Sequence, residues 1–373
     1  MPLMDKAGLL ENLVSMSNRY GRDPELVLAG GGNTSAKDET ALYVKASGTS
    51  LATITEDGFV AMDREKLSGI LNKEYPSGDK EREAAFLKDV TAAKVDPADT
   101  KRPSVEALLH NLFPYRFVLH LHPALVNGLT CGAEGEEIAK RLFADEVLWV
   151  EECRPGYTLA RLCSDRLREY HQKSGKHVSI LLLQNHGIFI AGDTLERIDG
   201  LLNEVMGKLK ESVVRMPDLS ETGFDRTAVK EAEGKLSALN GAFVLHGAYA
   251  DALRFSAGHE NAAPLLAPFT PDHIVYCKAR PLYVDDLDDL SKAFVDFRNK
   301  NGYEPKIVII KGLGLFALGS NEKDARTAKM LFEDAMKIAV YSESFGGPRH
   351  MAEDMINFIV NWEAESYRQS QNI

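Results

Sequence analysis

The sequence predicts a protein of mixed α and β structure organised in two domains. Helical and strand-like runs alternate through residues 1–215, which indicates an α/β or α+β domain. A polar segment rich in turn-forming residues follows at 216–241. Since the chain of 373 residues exceeds one average domain, we predict a first domain at 1–215, a linker at 216–241 and a smaller α/β domain at 242–373.

The elements of the first domain follow from apolar spacing and turn residues. Residues 6–20 carry leucines at helical spacing and predict an amphipathic helix. Residues 26–50 predict strand, loop, strand, loop, with Gly/Ser/Thr/Asn clusters at 30–35 and 46–50 as the loops. The remaining runs predict helices at 63–73, 81–94, 104–112, 123–131, 157–173 and 194–214, and strands at 117–122, 147–151 and 178–184.

The second domain contains a partial repeat of the first. Residues 145–150 resemble 272–277, and 182–192 resemble 309–319, at a nearly constant spacing. The copy lacks the histidines of the first domain, because Leu313 stands where His186 would be and no His-x-His occurs after residue 216. We therefore predict a degenerate repeat without metal ligands that is structural or covers a site. Convergence of two similar units remains the alternative.

Composition excludes several classes of protein. A formal charge of -11 disfavours a general nucleic-acid binder, which needs a basic face. The four cysteines form no CxxC pair, which argues against a disulfide framework and a zinc knuckle. Charged residues interrupt the N-terminal apolar stretch, and no run is long enough to form a membrane helix. We expect a cytoplasmic protein that binds neither nucleic acid nor membrane.

Three histidines form a candidate metal site. His120 and His122 lie two residues apart near the end of a predicted strand, so their side chains share one face and can reach one ion. A bare His-x-His is common, and two histidines without a ligand are the alternative. His186 follows another apolar strand and strengthens the case, because three histidines with an open fourth position are typical of catalytic zinc.

A carboxylate and two glycine-rich clusters accompany these histidines. Glu106 lies on the helix upstream, where a carboxylate close to a metal-bound ketone can move a proton and partial burial would raise its pKa. A surface charge is equally compatible with its spacing, and His110 is expected to be structural. The clusters offer backbone N–H groups that suit phosphate, although two ordinary turns explain them as well. Their polar residues are Asn33, Thr34, Ser35, Ser47, Thr49 and Ser50.

Five motifs together resemble the class II aldolase/adducin family over about residues 6–215. They are Gly32-Asn33-Thr34-Ser35, Ser47-Gly48, Ser104-x-Glu106, His120-x-His122 and Asn185-His186-Gly187. The segments GGGNTS, KASGTS, RPSVE and HLHP most resemble the aldolase portion of bifunctional rhamnulose-phosphate aldolase/dehydrogenase proteins. Two C-terminal motifs, Phe345-Gly346-Gly347 and Asn361-Trp362-Glu363-x-Glu365-x-Tyr367-Arg368, extend that likeness. The resemblance implies the lyase half only, without the dehydrogenase domain.

The resemblance also implies a fold, a cofactor and residue roles. It implies a three-layer α/β/α domain, one Zn²⁺ or another divalent metal per chain on His120, His122 and His186, and Glu106 as the catalytic acid/base. It places the substrate phosphate at Asn33, Thr34, Ser47, Gly48 and Ser104. Val105 departs from the aldolase pattern, which has a second serine there, and this puts the phosphate site in question. A homo-oligomer, a tetramer in the family, is also implied.

The implied reaction belongs to carbohydrate metabolism. It is reversible aldol cleavage of a ketose 1-phosphate of the rhamnulose or fuculose type to dihydroxyacetone phosphate and an aldehyde, with a small sugar phosphate as the partner. Pentulose-phosphate epimerisation, decarboxylation of a keto-acid phosphate and dehydration of a thiopentulose phosphate are alternatives on the same scaffold. An adducin-like binding module without catalysis is the alternative from another class.

Overall fold

The computed structural model describes residues 5–362, which form two β-sheets with helices against both faces of each. The sequence motif at 363–368 lies outside the described residues. The strands are β1 (Asn33–Lys37), β2 (Ala41–Lys45), β3 (Phe59–Asp63), β4 (Phe117–Leu121), β5 (Val147–Val150), β6 (Ile180–Leu183), β7 (Gly187–Gly192), β8 (Phe243–Gly247), β9 (Leu282–Val284), β10 (Ile307–Ile310) and β11 (Gly314–Gly319).

The helices lie between these strands and include every helix that the sequence predicts. They are α1 (Lys6–Gly21), α2 (Arg64–Ile70), α3 (Asp79–Ala92), α4 (Ala107–Leu112), α5 (Ala124–Thr130), α6 (Gly135–Phe143), α7 (Tyr157–Ser174), α8 (Leu195–Ser212), α9 (Arg226–Asn240), α10 (Ala250–Ser256), α11 (His259–Ala262), α12 (Pro271–Cys277), α13 (Leu290–Asn301), α14 (Glu322–Ser342) and α15 (Glu353–Val360). Within the described residues, no helix is long and apolar enough to span a membrane.

The first sheet confirms the predicted α/β/α layers. Its order is β3-β2-β1-β4-β7-β6-β5, and only the β5–β6 pair is parallel. Since successive side chains in a strand point to opposite faces, Leu119 and Ile190 join the core with α1 and α8. Val118 and Phe189 join the core on the other face, with α4 and α7.

The predicted loop at 30–35 is wrong for residues 33–35, which belong to strand β1. The polar residues Asn33, Thr34 and Ser35 lie in a strand that pairs with β2 on one side and β4 on the other. Their side chains have partners on both faces: Thr34 Oγ1 lies 2.7 Å from Ser17 Oγ, and Ser35 Oγ lies 2.8 Å from His110 Nδ1. Because these contacts satisfy the polar groups, a composition typical of turns is accommodated in a buried strand.

The second sheet reproduces the strand arrangement of half of the first. Its order, β8-β11-β10-β9, has the same relative directions as β4-β7-β6-β5. The resemblance between 182–192 and 309–319 corresponds to β6–β7 and β10–β11. In addition, His246 pairs with Phe316 as His120 pairs with Phe189. Both β4 and β8 begin with the sequence Phe-Val-Leu-His, a similarity that the predicted repeat did not include.

The prediction that residues 145–150 and 272–277 are counterparts in a repeat is wrong. The first segment contains strand β5, whereas the second forms helix α12. Pro271 favours a helix start at the first position, and the cap at Thr270 forms a capping box with His273. The position beside β10 that corresponds to β5 is taken by β9.

The predicted linker at 216–241 also needs correction. Residues 226–240 form α9, whose Val229, Ala232 and Leu236 are buried against the second sheet. Residues of both domains share one apolar core, in which α14 packs against α5. Hence only part of 216–241 can be a linker in the described chain. The division into two domains stays a prediction.

Gly128 allows the close approach of α5 and α14. A Cβ at this position would lie 2.3 Å from Tyr341 Cβ and 3.3 Å from the Tyr341 carbonyl carbon. We predict that Gly128→Ala lowers the free energy of unfolding by about 1–3 kcal/mol, as overpacked cores do. Gly200→Ala is the control, because Gly200 lies in α8 with no atom within 4 Å of a Cβ. It should raise the stability by about 0.5–1 kcal/mol, and equal effects in denaturant titrations would contradict the packing argument.

Candidate metal centre

The antiparallel pairing of β4 with β7 brings three histidines together. His120 lies near the end of β4, His122 just after it, and His186 just before β7. His120 Nε2 lies 2.9 Å from His122 Nε2 and 3.3 Å from His186 Nε2. Tetrahedral zinc with bonds of about 2.0–2.1 Å separates its nitrogen ligands by about 3.3 Å. The donor set therefore fits a divalent metal bound by three imidazoles.

Two of the imidazoles are oriented through their other ring nitrogen. His120 Nδ1 donates to the backbone carbonyl of Ile188 at 3.0 Å, and His122 Nδ1 donates to Asp272 Oδ2 at 2.6 Å. With Nδ1 as the donor in each ring, Nε2 faces the other histidines and is the nitrogen that can ligate a metal. The ring of His120 also stacks on Phe189, with the centroids 3.9 Å apart.

A strained turn presents His186. Asn185 has a positive φ of 54°, which is more accessible to asparagine than to most residues. Its side-chain amide donates to the carbonyls of Phe269 and Arg349, both from the second domain. Burial, followed by the neighbouring His120 and His122, lowers the pKa of His186 to about 3. Burial thus favours the neutral form of His186, which is the form that binds a metal.

Glu106 lies beside the histidines at the start of α4. Its Oε1 is 3.1 Å from His120 Nε2 and 3.6 Å from His186 Nε2. Burial raises the pKa of the carboxyl, but His120, through charge and a hydrogen bond, and then His186 outweigh it and hold that pKa well below its usual value. The predicted rise in pKa is therefore wrong for this arrangement, because the histidines contribute more than burial.

The other predicted residues divide between the two faces of the sheet. Asn33, Ser47, Gly48 and Ser104 line the same cavity as Glu106 and two of the histidines, His122 and His186. Asn33 Nδ2 donates to Ser104 Oγ at 2.6 Å and to Glu106 Oε2 at 3.2 Å. Thr34 lies on the opposite face against Ser17, so its placement in the phosphate site is corrected.

Two cations in this cavity escaped the sequence analysis. Lys45, at the end of β2, and Arg102, just before Pro103, both line it. The Ser47 backbone N–H donates to the Arg102 carbonyl at 2.9 Å, and Ala46 forms a β-bridge with Pro103. The sequence offered one indication of Lys45, because it is the only charged residue in the otherwise apolar run 41–46. The cavity wall therefore includes two cationic side chains from the first domain.

Residues of the predicted second domain form part of the cavity wall. Pro271, Asp272, Tyr276 and Trp362 line it opposite the first sheet. Asp272 is 7% exposed, and its carboxylate contacts His122 directly. Sequence reasoning gave these residues no role in the site, because their place in the wall depends on packing between distant segments; Trp362 was noted only as part of a motif.

Fold and site together define an α/β/α domain with an open three-histidine centre next to a carboxylate. The family model "Class II Aldolase and Adducin N-terminal domain" matches residues 11–198. That range is 188 of the 373 residues, just over half, so the chain belongs to the class II aldolase/adducin family. This confirms the family that the motifs indicated.

Similar proteins were found by sequence and by structure. The "Uncharacterized oxidoreductase YuxG" of Bacillus subtilis (strain 168) is 23% identical over 409 aligned positions that cover 96% of this chain, which spans only 58% of that relative. The N-terminal class II aldolase domain of a conserved protein from Thermoplasma acidophilum is 25% identical, covering 57% of this chain and 96% of that one, with a TM-score of 0.47. L-fuculose-1-phosphate aldolase from Thermus thermophilus is 20% identical, covering 54% and 90%, with a TM-score of 0.33.

We predict that His122→Ala abolishes most metal binding, since it removes one of three ligands. Metal content per chain would be measured by mass spectrometry after purification without added metal or chelator. His246→Ala is the matched control, because His246 occupies the counterpart of the His120 position in the second sheet. About one metal per chain in the wild type and control, and little in His122→Ala, is expected. Equal metal content in His122→Ala and the wild type would contradict the site.

Proposed function

We propose that this protein is a zinc-dependent lyase that catalyses reversible aldol cleavage of a ketose 1-phosphate, of the rhamnulose or fuculose type. The products would be dihydroxyacetone phosphate and an aldehyde. One observation carries the proposal: the three-histidine cluster adjoins a cavity that is lined by two of its members, His122 and His186, by Glu106 and by two cationic side chains. Following the family resemblance, we also propose a cytoplasmic homo-oligomer.

His120, His122 and His186 would hold the metal. When bound, a divalent metal supplies Lewis-acid polarisation of substrate oxygens and stabilises negative charge that develops on them. Three protein ligands leave a coordination position for such an oxygen. Zinc suits imidazole nitrogen, and other divalent metals accept the same ligands.

Glu106 would exchange the proton at carbon. In cleavage the carbon–carbon bond breaks, the hydroxyl on the departing carbon loses its proton as the aldehyde forms, and the carbon that keeps the electron pair gains a proton. Glu106 is the carboxyl group closest to the histidines in the first domain. As a carboxylate it can remove that proton in the addition direction, and as the acid it can return it in cleavage.

The cationic side chains of the cavity wall would hold the phosphate. Lys45 and Arg102 supply positive charge, and the Ser47–Gly48 turn, with Gly48 at a positive φ of 87°, supplies a concave backbone. Arginine binds phosphate oxygens through two parallel N–H groups. The hydroxyl missing at Val105 is therefore offset by charge, and this supports a phosphorylated substrate.

We predict that Glu106→Gln retains the metal but loses turnover by about 10²–10⁴-fold, the usual contribution of a positioned acid or base. Gln keeps the size and the hydrogen-bonding oxygen of the side chain but cannot exchange the proton. Metal content and kcat would be measured on the same preparation, so that a folding defect is recognised by metal loss. Full activity with full metal content would remove Glu106 from the mechanism.

We predict that Arg102→Met raises KM for a phosphorylated ketose by about 10–100-fold, since a hydrogen bond to a charged group contributes about 1.5–3 kcal/mol. Lys101→Met is the matched control: Lys101 is the adjacent cation, pairs with Asp99 and does not line the cavity. It should leave KM unchanged. Steady-state kinetics with phosphorylated and unphosphorylated ketoses would show an equal effect of Arg102→Met on both if the phosphate assignment is wrong.

A panel of ketose phosphates and keto-acid phosphates separates the reaction classes. Release of dihydroxyacetone phosphate supports the aldolase. Epimer formation, release of CO₂ or loss of water from the substrate identifies one of the other chemistries on the same scaffold. Metal-free protein that turns over none of these compounds indicates the adducin-like binding module.

A further inference from the structure

The second domain contacts the metal centre through the first turn of α12. Asp272 Oδ2 accepts a hydrogen bond of 2.6 Å from His122 Nδ1, and both side chains are largely shielded from solvent. The same turn is fixed by the Thr270 cap, where the Thr270 backbone N–H donates to His273 Nδ1 at 3.2 Å. His273 Nε2 in turn lies 3.3 Å from Asp334 Oδ2 on α14. Asp272 is therefore held in place by packing behind it.

Helix α12 has no counterpart in the first domain. Two helices, α5 and α6, connect β4 to β5, whereas three helices, α10, α11 and α12, connect the corresponding strands β8 and β9. The second domain has lost the equivalents of two ligands, with Ala248 at the His122 position and Leu313 at the His186 position. Helix α12, which has no counterpart in the first domain, is thus the helix that contacts His122.

The two ligands at the end of β4 are oriented by different parts of the chain. His120 Nδ1 donates to Ile188 of its own sheet, so its orientation follows from strand pairing alone. His122 lies beyond the end of β4 and donates to a carboxylate from the other domain. A carboxylate partner fixes the tautomer, restrains the ring and increases the basicity of the ligating nitrogen.

We propose that Asp272 is a positioning residue for the metal centre, which the second domain thereby completes. Asp272 keeps the proton of His122 on Nδ1 and holds the ring so that Nε2 faces His120 and His186. This inference rests on the proposed function, because it requires that the three histidines bind a metal.

The test uses the full chain and compares Asp272→Ala and Asp272→Asn with the wild type. Asp334→Asn is the matched control, since Asp334 is buried at the same domain contact but touches His273 instead of a ligand. Zn²⁺ affinity would be measured by chelator competition, ligand geometry by the visible spectrum of Co²⁺-loaded protein, and stability by the melting temperature without metal.

We expect Asp272→Ala to weaken Zn²⁺ binding by about 10–100-fold, the usual effect of removing such a partner, and to alter the Co²⁺ spectrum. Asp272→Asn should restore part of the affinity, because its amide oxygen still accepts from Nδ1–H. Asp334→Asn should retain the wild-type affinity and spectrum even if its melting temperature falls.

Three results would overturn the inference. Wild-type affinity and spectrum in Asp272→Ala would overturn it and leave the proposed function intact. Equal losses of affinity in Asp272→Ala and Asp334→Asn would attribute the effect to packing between the domains. Absence of metal binding in the wild type would overturn the metal site of the proposed function and the role of Asp272 with it.

Discussion

The site depends on the register of the β4–β7 pair. Antiparallel pairing places the end of β4 beside the start of β7, so histidines that are distant in sequence become neighbours. His120 pairs with Phe189 and Leu121 with Ile188, and the apolar residues of both strands enter opposite cores accordingly. A shift by one residue would turn His120 towards the wrong face and bury Leu121 in its place, which the apolar pattern opposes strongly.

Strand β1 positions the Glu106 carboxylate in the same way. Asn33, Ser35 and Lys37 alternate along one face and reach Ser104, His110 and the last carbonyls of α4. Burial, followed by the charge of Arg64, lowers the pKa of Lys37 well below its usual value. Removing this amine from water is costly, but its bonds to the carbonyls of His110 and Phe113 offset part of that cost. Helix α4, which begins next to Glu106, is thus attached to the sheet by side chains of one strand.

Patterns local in sequence predicted much of the fold and the histidine cluster. The alternation of elements, His-x-His at a strand end and a histidine before a glycine were sufficient to group His120, His122 and His186. The polar strand β1 could not be recognised, because its composition is that of a turn until Ser17 and His110 supply partners. Asp272 could not be predicted for a different reason. Its contact with His122 depends on how α12 packs against the first sheet, and the periodicity of the sequence does not predict that packing.

The predicted second domain contacts the histidine cluster of the domain that it resembles. His246 retains the place of His120, but its Nε2 now bonds to the carbonyl of Leu313, which stands at the His186 position. The imidazole is therefore used internally. Meanwhile the amide of Asn185, next to His186, bonds to Phe269 and Arg349 of the second domain. The turn that presents His186 and the orientation of His122 therefore both depend on contacts with this part of the chain.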